Sequence, residues 1–150
     1  MINALIRAVY RVAHWGLRLL WFIRRPETTG ALVAVWHHGR VLLVKNSYRP
    51  QLTLPGGYIR PREDRRTAAA RELREEVGIQ VSPDALRHAG RVVNREHGNE
   101  DHLHFFELRF EAEPAVRVDG REIVWAGFHT REEALALDLL DAVRDQLQQR

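Results

Sequence analysis

The sequence predicts an α+β domain preceded by an amphipathic helix. Short apolar segments, alternating or continuous, recur at residues 28–45 and 86–110 and are bounded by turn residues. A carboxylate-rich segment of helical periodicity follows Pro55-Gly56-Gly57. Helical patterns occupy both ends of the chain. A length of 150 residues predicts one domain with a sizeable core. The hydrophobic share of 45% and the charged share of 29% are ordinary for a globular protein.

The chain has no cysteine, which excludes disulfides, thiol catalysis and cysteine-held zinc. That fits a reducing compartment, and a cytoplasmic location is expected. The net charge of +3 and a pI of 9.9 favour anionic partners, whether nucleotides, nucleic acid or a lipid surface. Nearly all of the positive charge is arginine, so its abundance alone selects none of these.

The first element is a helix over residues 2–25. Arg7, Arg11, His14, Arg18 and Arg25 form a narrow basic stripe. Leu5, Val9, Val12, Leu17, Leu20 and Ile23 belong to a broad apolar face. Pro26 ends the pattern. Arginine at every turn or two makes this a poor transmembrane span, and no small-residue cleavage site marks a signal peptide. The helix is expected to pack on its own domain or on a second subunit. The other reading is peripheral contact of residues 1–25 with an anionic membrane. Residues 1–27 are therefore an N-terminal extension, and residues 28–150 the domain proper.

Residues 28–36 form a strand with Ala31, Val33 and Val35 on one face. His37-His38-Gly39-Arg40 makes a turn into the return strand at residues 41–45. The paired histidines read as a turn tip rather than metal ligands. Residues 46–51 are a polar loop in which Tyr48 and Arg49 are candidates for contact with a substrate base or phosphate.

Asp64 is expected to cap the next helix, and Gly78 to end it. At about 100° per residue, Glu72, Glu75 and Glu76 share an arc of roughly 100°, while Ala70, Leu73 and Val77 lie on another side. Like charges one turn apart repel, and a hard cation with oxygen ligands relieves that repulsion. Mg2+ suits such a site because it keeps waters and takes its remaining ligands from carboxylates and phosphates.

Gly57, Glu63, Arg71, Glu72, Leu73, Glu75, Glu76, Gly78 and Ile79 stand at the offsets of the Nudix box, so the sequence resembles a Nudix hydrolase. With its flanking strands the resemblance spans roughly residues 29–130. It implies a Nudix fold, in which a mixed sheet is sandwiched between helices. It also implies Mg2+-dependent hydrolysis of a nucleoside diphosphate linked to another group, with Mn2+ able to substitute. Glu72, Glu76 and the Gly57 carbonyl are then metal ligands. Glu75 is a ligand through water or the general base. Arg71 pairs with Glu63 to hold the loop against the helix. The chain departs from the commonest form of the family at Arg60 and Arg62, where many members carry Glu and Gly. With Arg65 and Arg66 these form a basic cluster, and Arg60 is a candidate phosphate contact.

Residues 86–94 and 102–110 read as strands joined by a charged hairpin loop at 95–101. His97, His102 and His104 lie close in sequence, and His104 is a candidate substrate contact. Residues 111–120 form a loop, in a place that commonly shapes specificity in the family. Glu122 stands six residues before Phe128, where the resemblance implies a carboxylate that reaches the metal site or acts as the base. Thr130 and Glu133 fit a capping box, followed by one or two amphipathic helices.

Nucleotide sugars or ADP-ribose are favoured, because the N-terminal helix is suited to building a homodimer with a shared site. A catalytically silent nucleotide-binding module, and a membrane- or RNA-directed Nudix protein, are the alternatives. A nucleic-acid partner ranks behind a small molecule.

Overall fold

The computed structural model describes residues 2–24, 27–96 and 99–149. The predicted helix stop at Pro26, the last cation of the stripe at Arg25, and His97 lie outside the described residues, as does the side chain of Arg18. A helix α1 (Ile2–Arg24) precedes β1 (Glu27–His37) and β2 (Arg40–Asn46). Two short strands follow, β3 (Leu52–Thr53) and β4 (Gly56–Tyr58), and lead into α2 (Arg65–Val77). Then come β5 (Arg87–Glu96), β6 (Asn99–Phe110), β7 (Ile123–Thr130), α3 (Arg131–Ala136) and α4 (Asp141–Gln148).

β1 runs through the middle of a mixed sheet, parallel to β6 along its whole length. It pairs with β2 only at Trp36–Val41 and His37–Arg40, next to the His38-Gly39 turn, where φ is 45° and 76°. Beyond the turn the hairpin splays. β4 fills the opened edge of β1 from Gly30 to Leu32, and β3 fills the end of β2 at Val44 and Lys45. The segment 52–58 is thus wedged between the two strands. Val33 N–H donates to the Pro55 carbonyl at 2.8 Å. β7 covers the other edge of β2.

The alternation within β1 separates two cores. Ala31, Val33 and Val35 pack with Leu42, Phe106, Ile123 and the apolar face of α2: Ala68, Ala69, Leu73 and Val77. Leu32, Ala34 and Trp36 pack with Leu43, Phe105, Leu139, Val143 and Leu147 under α3 and α4. The sheet is sandwiched between helices, as expected. Asp64 accepts from Arg66 and Thr67 N–H at the start of α2, and Gly78 ends it at φ 72°. The Thr130–Glu133 capping box is present.

One expectation is corrected. The loop predicted at 95–101 is largely strand, since pairing continues to Glu96–Asn99. Backbone ladder bonds do not depend on side-chain polarity, so a charged segment can continue an edge hairpin. The first helix packs on its own domain, as expected, and does so through its basic side. Arg7 Nε donates to the Gly120 carbonyl at 3.0 Å, and Arg11 Nε to the Ser47 carbonyl at 3.1 Å. The His14 ring lies 4.7 Å from that of Tyr48. The basic stripe therefore faces the domain, while Leu5 is 69%, Val12 73% and Trp15 66% exposed. Guanidinium groups reach loop carbonyls that have no ladder partner, which apolar side chains have no means to satisfy.

Candidate active site

The wedge at residues 52–58 passes directly beneath α2. Gly56 has φ 146°, and a Cβ there would stand 2.1 Å from the Ala31 carbonyl oxygen. A Cβ on Gly57 would stand 2.9 Å from the Glu72 carboxyl carbon. Only glycine allows this approach of backbone to carboxylate. Gly56 N–H donates to Glu76 Oε2 at 2.8 Å, so the loop holds the acid it underlies.

Glu76 is 4% exposed, on the boundary between the apolar and acidic sides of α2. Burial pushes its carboxyl well above the ordinary range; the Gly56 N–H opposes this, while Glu72, Glu122 and Asp119 add to it. Burial raises Glu72 too, with Arg71 opposing and Glu75 and Glu122 adding. Three acids thus act on one another electrostatically within one site, although Glu122 comes from a distant part of the chain.

Arg71 organises the acidic side. Its Nε and Nη2 meet the two oxygens of Glu63 at 2.8 and 3.0 Å. Nη1 donates to Glu72 at 2.6 Å and to Glu75 at 3.2 Å, and Nη2 reaches the Tyr58 carbonyl at 3.1 Å. The expected Arg71–Glu63 pair is present and is bidentate. Those bonds from Arg71, with that of the Arg60 N–H, hold Glu63 at about 2. Arg62, where the family commonly has glycine, has φ 65°. The loop keeps the left-handed turn that glycine adopts without strain, and places an arginine in it.

Glu122 arrives by a route that spacing along the sequence does not reveal. After residues 111–116, Arg117 N–H donates to the Val77 carbonyl at 2.9 Å and Asp119 N–H to the Glu76 carbonyl at 3.2 Å. These are free carbonyls at the C-terminal end of α2. Asp119 then accepts from the N–H groups of Arg121, Glu122 and Ile123 at 3.1, 3.1 and 2.8 Å. Tyr48 hydroxyl donates to Glu122 at 2.9 Å, and burial together with Glu122 raises its pKa. Arg49 lies 5.8 Å over the Tyr48 ring.

Of the other candidates, Arg60 is exposed and its N–H donates to Glu63 at 2.9 Å. His104 is 4% exposed, buried on the α2 side of the sheet, with burial and the positive charge of Arg65 lowering it to about 4. It is enclosed rather than open to a ligand. Sequence reasoning missed Asp119, Arg7 and Arg11 as neighbours of the site, and also Tyr10, whose pKa is raised by burial and by the charges of Glu122 and Asp119. The Asp119-Gly120 dipeptide was a turn signal, but nothing local linked it to Glu76.

Hard oxygen donors with buried negative charge and one guanidinium among them suit a divalent cation such as Mg2+ or Mn2+. Among the described residues no three such side chains form a preformed metal-binding group. Arg71 instead bridges Glu72 and Glu75.

A mixed sheet between helices, a glycine loop beneath a helix of glutamates and an arginine tying the two define a Nudix-type site. The model of the NUDIX domain matches residues 24–149, and the chain belongs to the Nudix hydrolase family, whose members are pyrophosphohydrolases. Among solved structures it is similar to a MutT NUDIX hydrolase from Burkholderia pseudomallei, at 24% identity, TM-score 0.72, over 83% of this chain and 98% of that one. It is also similar to an Ap4A hydrolase binary complex from C. elegans, at 20% identity, TM-score 0.69, over 81% and 93%. A third is a bifunctional NMN adenylyltransferase/ADP ribose pyrophosphatase from Francisella tularensis, complexed with AMP and Mn ion. There identity is 16% and the TM-score 0.70, over 94% of this chain and 46% of that one. No curated protein matches the chain significantly.

Proposed function

We propose that this chain hydrolyses the diphosphate of a nucleoside diphosphate linked to another moiety, with Mg2+ or Mn2+. The observation that supports it most is the meeting of Glu72, Glu76 and Glu122: each raises or is raised by another's charge, and Glu76 is buried. Such charge is costly to bury unless a cation or hydrogen bonds compensate it. A binding module without chemistry needs no such cluster.

Glu72 and Glu76 would hold the metal beside the Gly57 carbonyl, with Glu75 attached through water. The metal would supply charge to neutralise the phosphoryl oxygens and lower the pKa of an attacking water. Glu122 or Glu75 would take the proton from that water. Glu122 is favoured, because the Tyr48 hydrogen bond and the Asp119 turn fix its position, whereas Glu75 is tied to Arg71. Glu63 and Arg71 would act as positioning residues. Tyr48 and Arg49 would line the substrate side, with Arg60 at the rim, and His104 would act only through the packing beneath α2.

ADP-ribose or a nucleotide sugar is favoured, and ADP ribose is one of the compounds for which the Francisella protein is named. Residues 28–150 would form the catalytic domain and 1–27 its extension. The exposed Leu5, Val9, Val12 and Trp15 support a second role for α1 as an association surface, for a second copy or an anionic membrane. No helix among the described residues is long and apolar enough to cross a membrane.

The deciding experiment is phosphate release from a panel of nucleoside diphosphate derivatives with Mg2+, beside Glu76→Gln. Turnover of one class that is lost in the variant is expected. No turnover with either Mg2+ or Mn2+ would sink the hydrolase reading for this chain and favour a nucleotide-binding module.

A further inference from the structure

A cavity of about 410 Å³ opens between α1 and the loop that joins β2 to β3. Arg7 and Arg11 enter it from the helix, Lys45 from the end of β2 and Arg49 from the loop, with Tyr48 and Val124 completing its wall. Its lining holds four cations and no acid. Such a set repels itself in a concave space, and an anion reverses the sign of that energy. The helix cations are not held by carboxylates there. Arg7 and Arg11 each spend Nε on a backbone carbonyl, Gly120 and Ser47, which is one of the five N–H donors of each guanidinium. The cavity also adjoins the acidic cluster, because Tyr48 lines it and donates to Glu122 at 2.9 Å.

We propose that this cavity is a phosphate-binding subsite, two of its four cations supplied by α1, which narrows the substrate to nucleoside diphosphate derivatives carrying a further phosphate or an acidic sugar group, an anion that unmodified ADP-ribose lacks. The proposal rests on the hydrolase reading given above for its substrate, but not for its anion. Arginine and lysine in a fork around a tetrahedral anion are the chemistry that recognises phosphate, and hydrogen bonds between charged partners are the strong ones. The extension thereby becomes part of the substrate site. It reads the far end of the substrate, while the glutamates of α2 act on the near end.

The test is calorimetric titration of the full chain with inorganic phosphate in EDTA. With metal removed, the glutamate cluster repels phosphate, and the share of binding lost in variants of the cavity reports the cavity, because those variants leave the Arg60 to Arg66 cluster intact. Arg11→Gln and Arg49→Gln, on opposite walls, should each weaken phosphate binding about tenfold, and Arg11→Lys less. Because Arg49 lies outside α1, a loss there cannot come from detachment of the helix. Unchanged affinity in both neutral variants overturns the subsite and leaves hydrolysis untouched. Glu76→Gln should keep phosphate binding while losing turnover. Phosphate binding that depends on the arginines, in a chain that hydrolyses nothing in the panel, overturns the hydrolase reading and keeps the anion site. Vesicles of phosphatidylglycerol should not displace bound phosphate; displacement would reassign the cavity to a lipid headgroup and overturn the substrate role.

Discussion

At Glu76 the proposed function and the stability of the fold pull in opposite directions. Its raised pKa means that the folded chain without metal favours the protonated form. Stability from holding this proton is full below the unfolded carboxylate range and is lost as pH rises from there through the raised folded pKa. Glu76→Gln keeps an acceptor for Gly56 N–H and removes the titrating carboxyl and its cost at neutral pH. The variant is expected to lose turnover by about 100-fold or more, yet to melt higher in EDTA at neutral pH, by roughly 2–4 °C per kcal/mol gained. Equal melting temperatures would show that the charge is solvated. His104 has the opposite sign. Its folded pKa of about 4 lies below that of the unfolded chain, so it stays neutral when buried. Stability should fall as pH drops from about 6.5 to 4 through this group. His104→Gln should flatten that part of a urea-melt pH series; an identical slope would assign it elsewhere.

At the scale of elements, the loop from β4 to α2 is set by the reach of Arg71, which ties Glu63, Glu72, Glu75 and the Tyr58 carbonyl together. Arg62 occupies a left-handed position within that loop at φ 65°. Arg62→Gly should relieve the strain and stabilise the fold by about 1 kcal/mol net of the added freedom of the unfolded chain. Denaturant midpoints read this directly, and a lower midpoint would mean that the Arg62 side chain makes a stabilising contact. The second element that matters is the segment 111–122. It docks on the free carbonyls of α2 through Arg117 and Asp119 and delivers Glu122 to the site.

For the whole molecule, the proposed metal site links the acids to the stability of the fold. A divalent ion that binds only the folded chain stabilises it by about 2.7 kcal/mol at 100 times its Kd. Mg2+ should therefore raise the melting temperature of the wild type and much less that of Glu76→Gln. A shift of equal size in both would place the ion elsewhere. The same scale governs α1, whose cations face its own domain while Leu5, Val9, Val12 and Trp15 face outward.

Much of this was written locally in the chain. The offsets from Gly57 to Ile79 announced the glycine loop, the acidic helix and the Arg71–Glu63 pair, because helical spacing and glycine's conformational range act over a few residues. The caps at Asp64, Gly78 and Thr130 were legible for the same reason. Glu122 was matched by family resemblance, but the sequence alone did not explain how it reaches Glu76. That took the docking of residues 117–119 on α2, a contact between segments some forty residues apart. Nor did periodicity decide which face of α1 turns inward. An amphipathic pattern separates two faces of a helix, and the inward one was chosen by the loop carbonyls of Ser47 and Gly120, which only the assembled sheet brings within reach of Arg11 and Arg7.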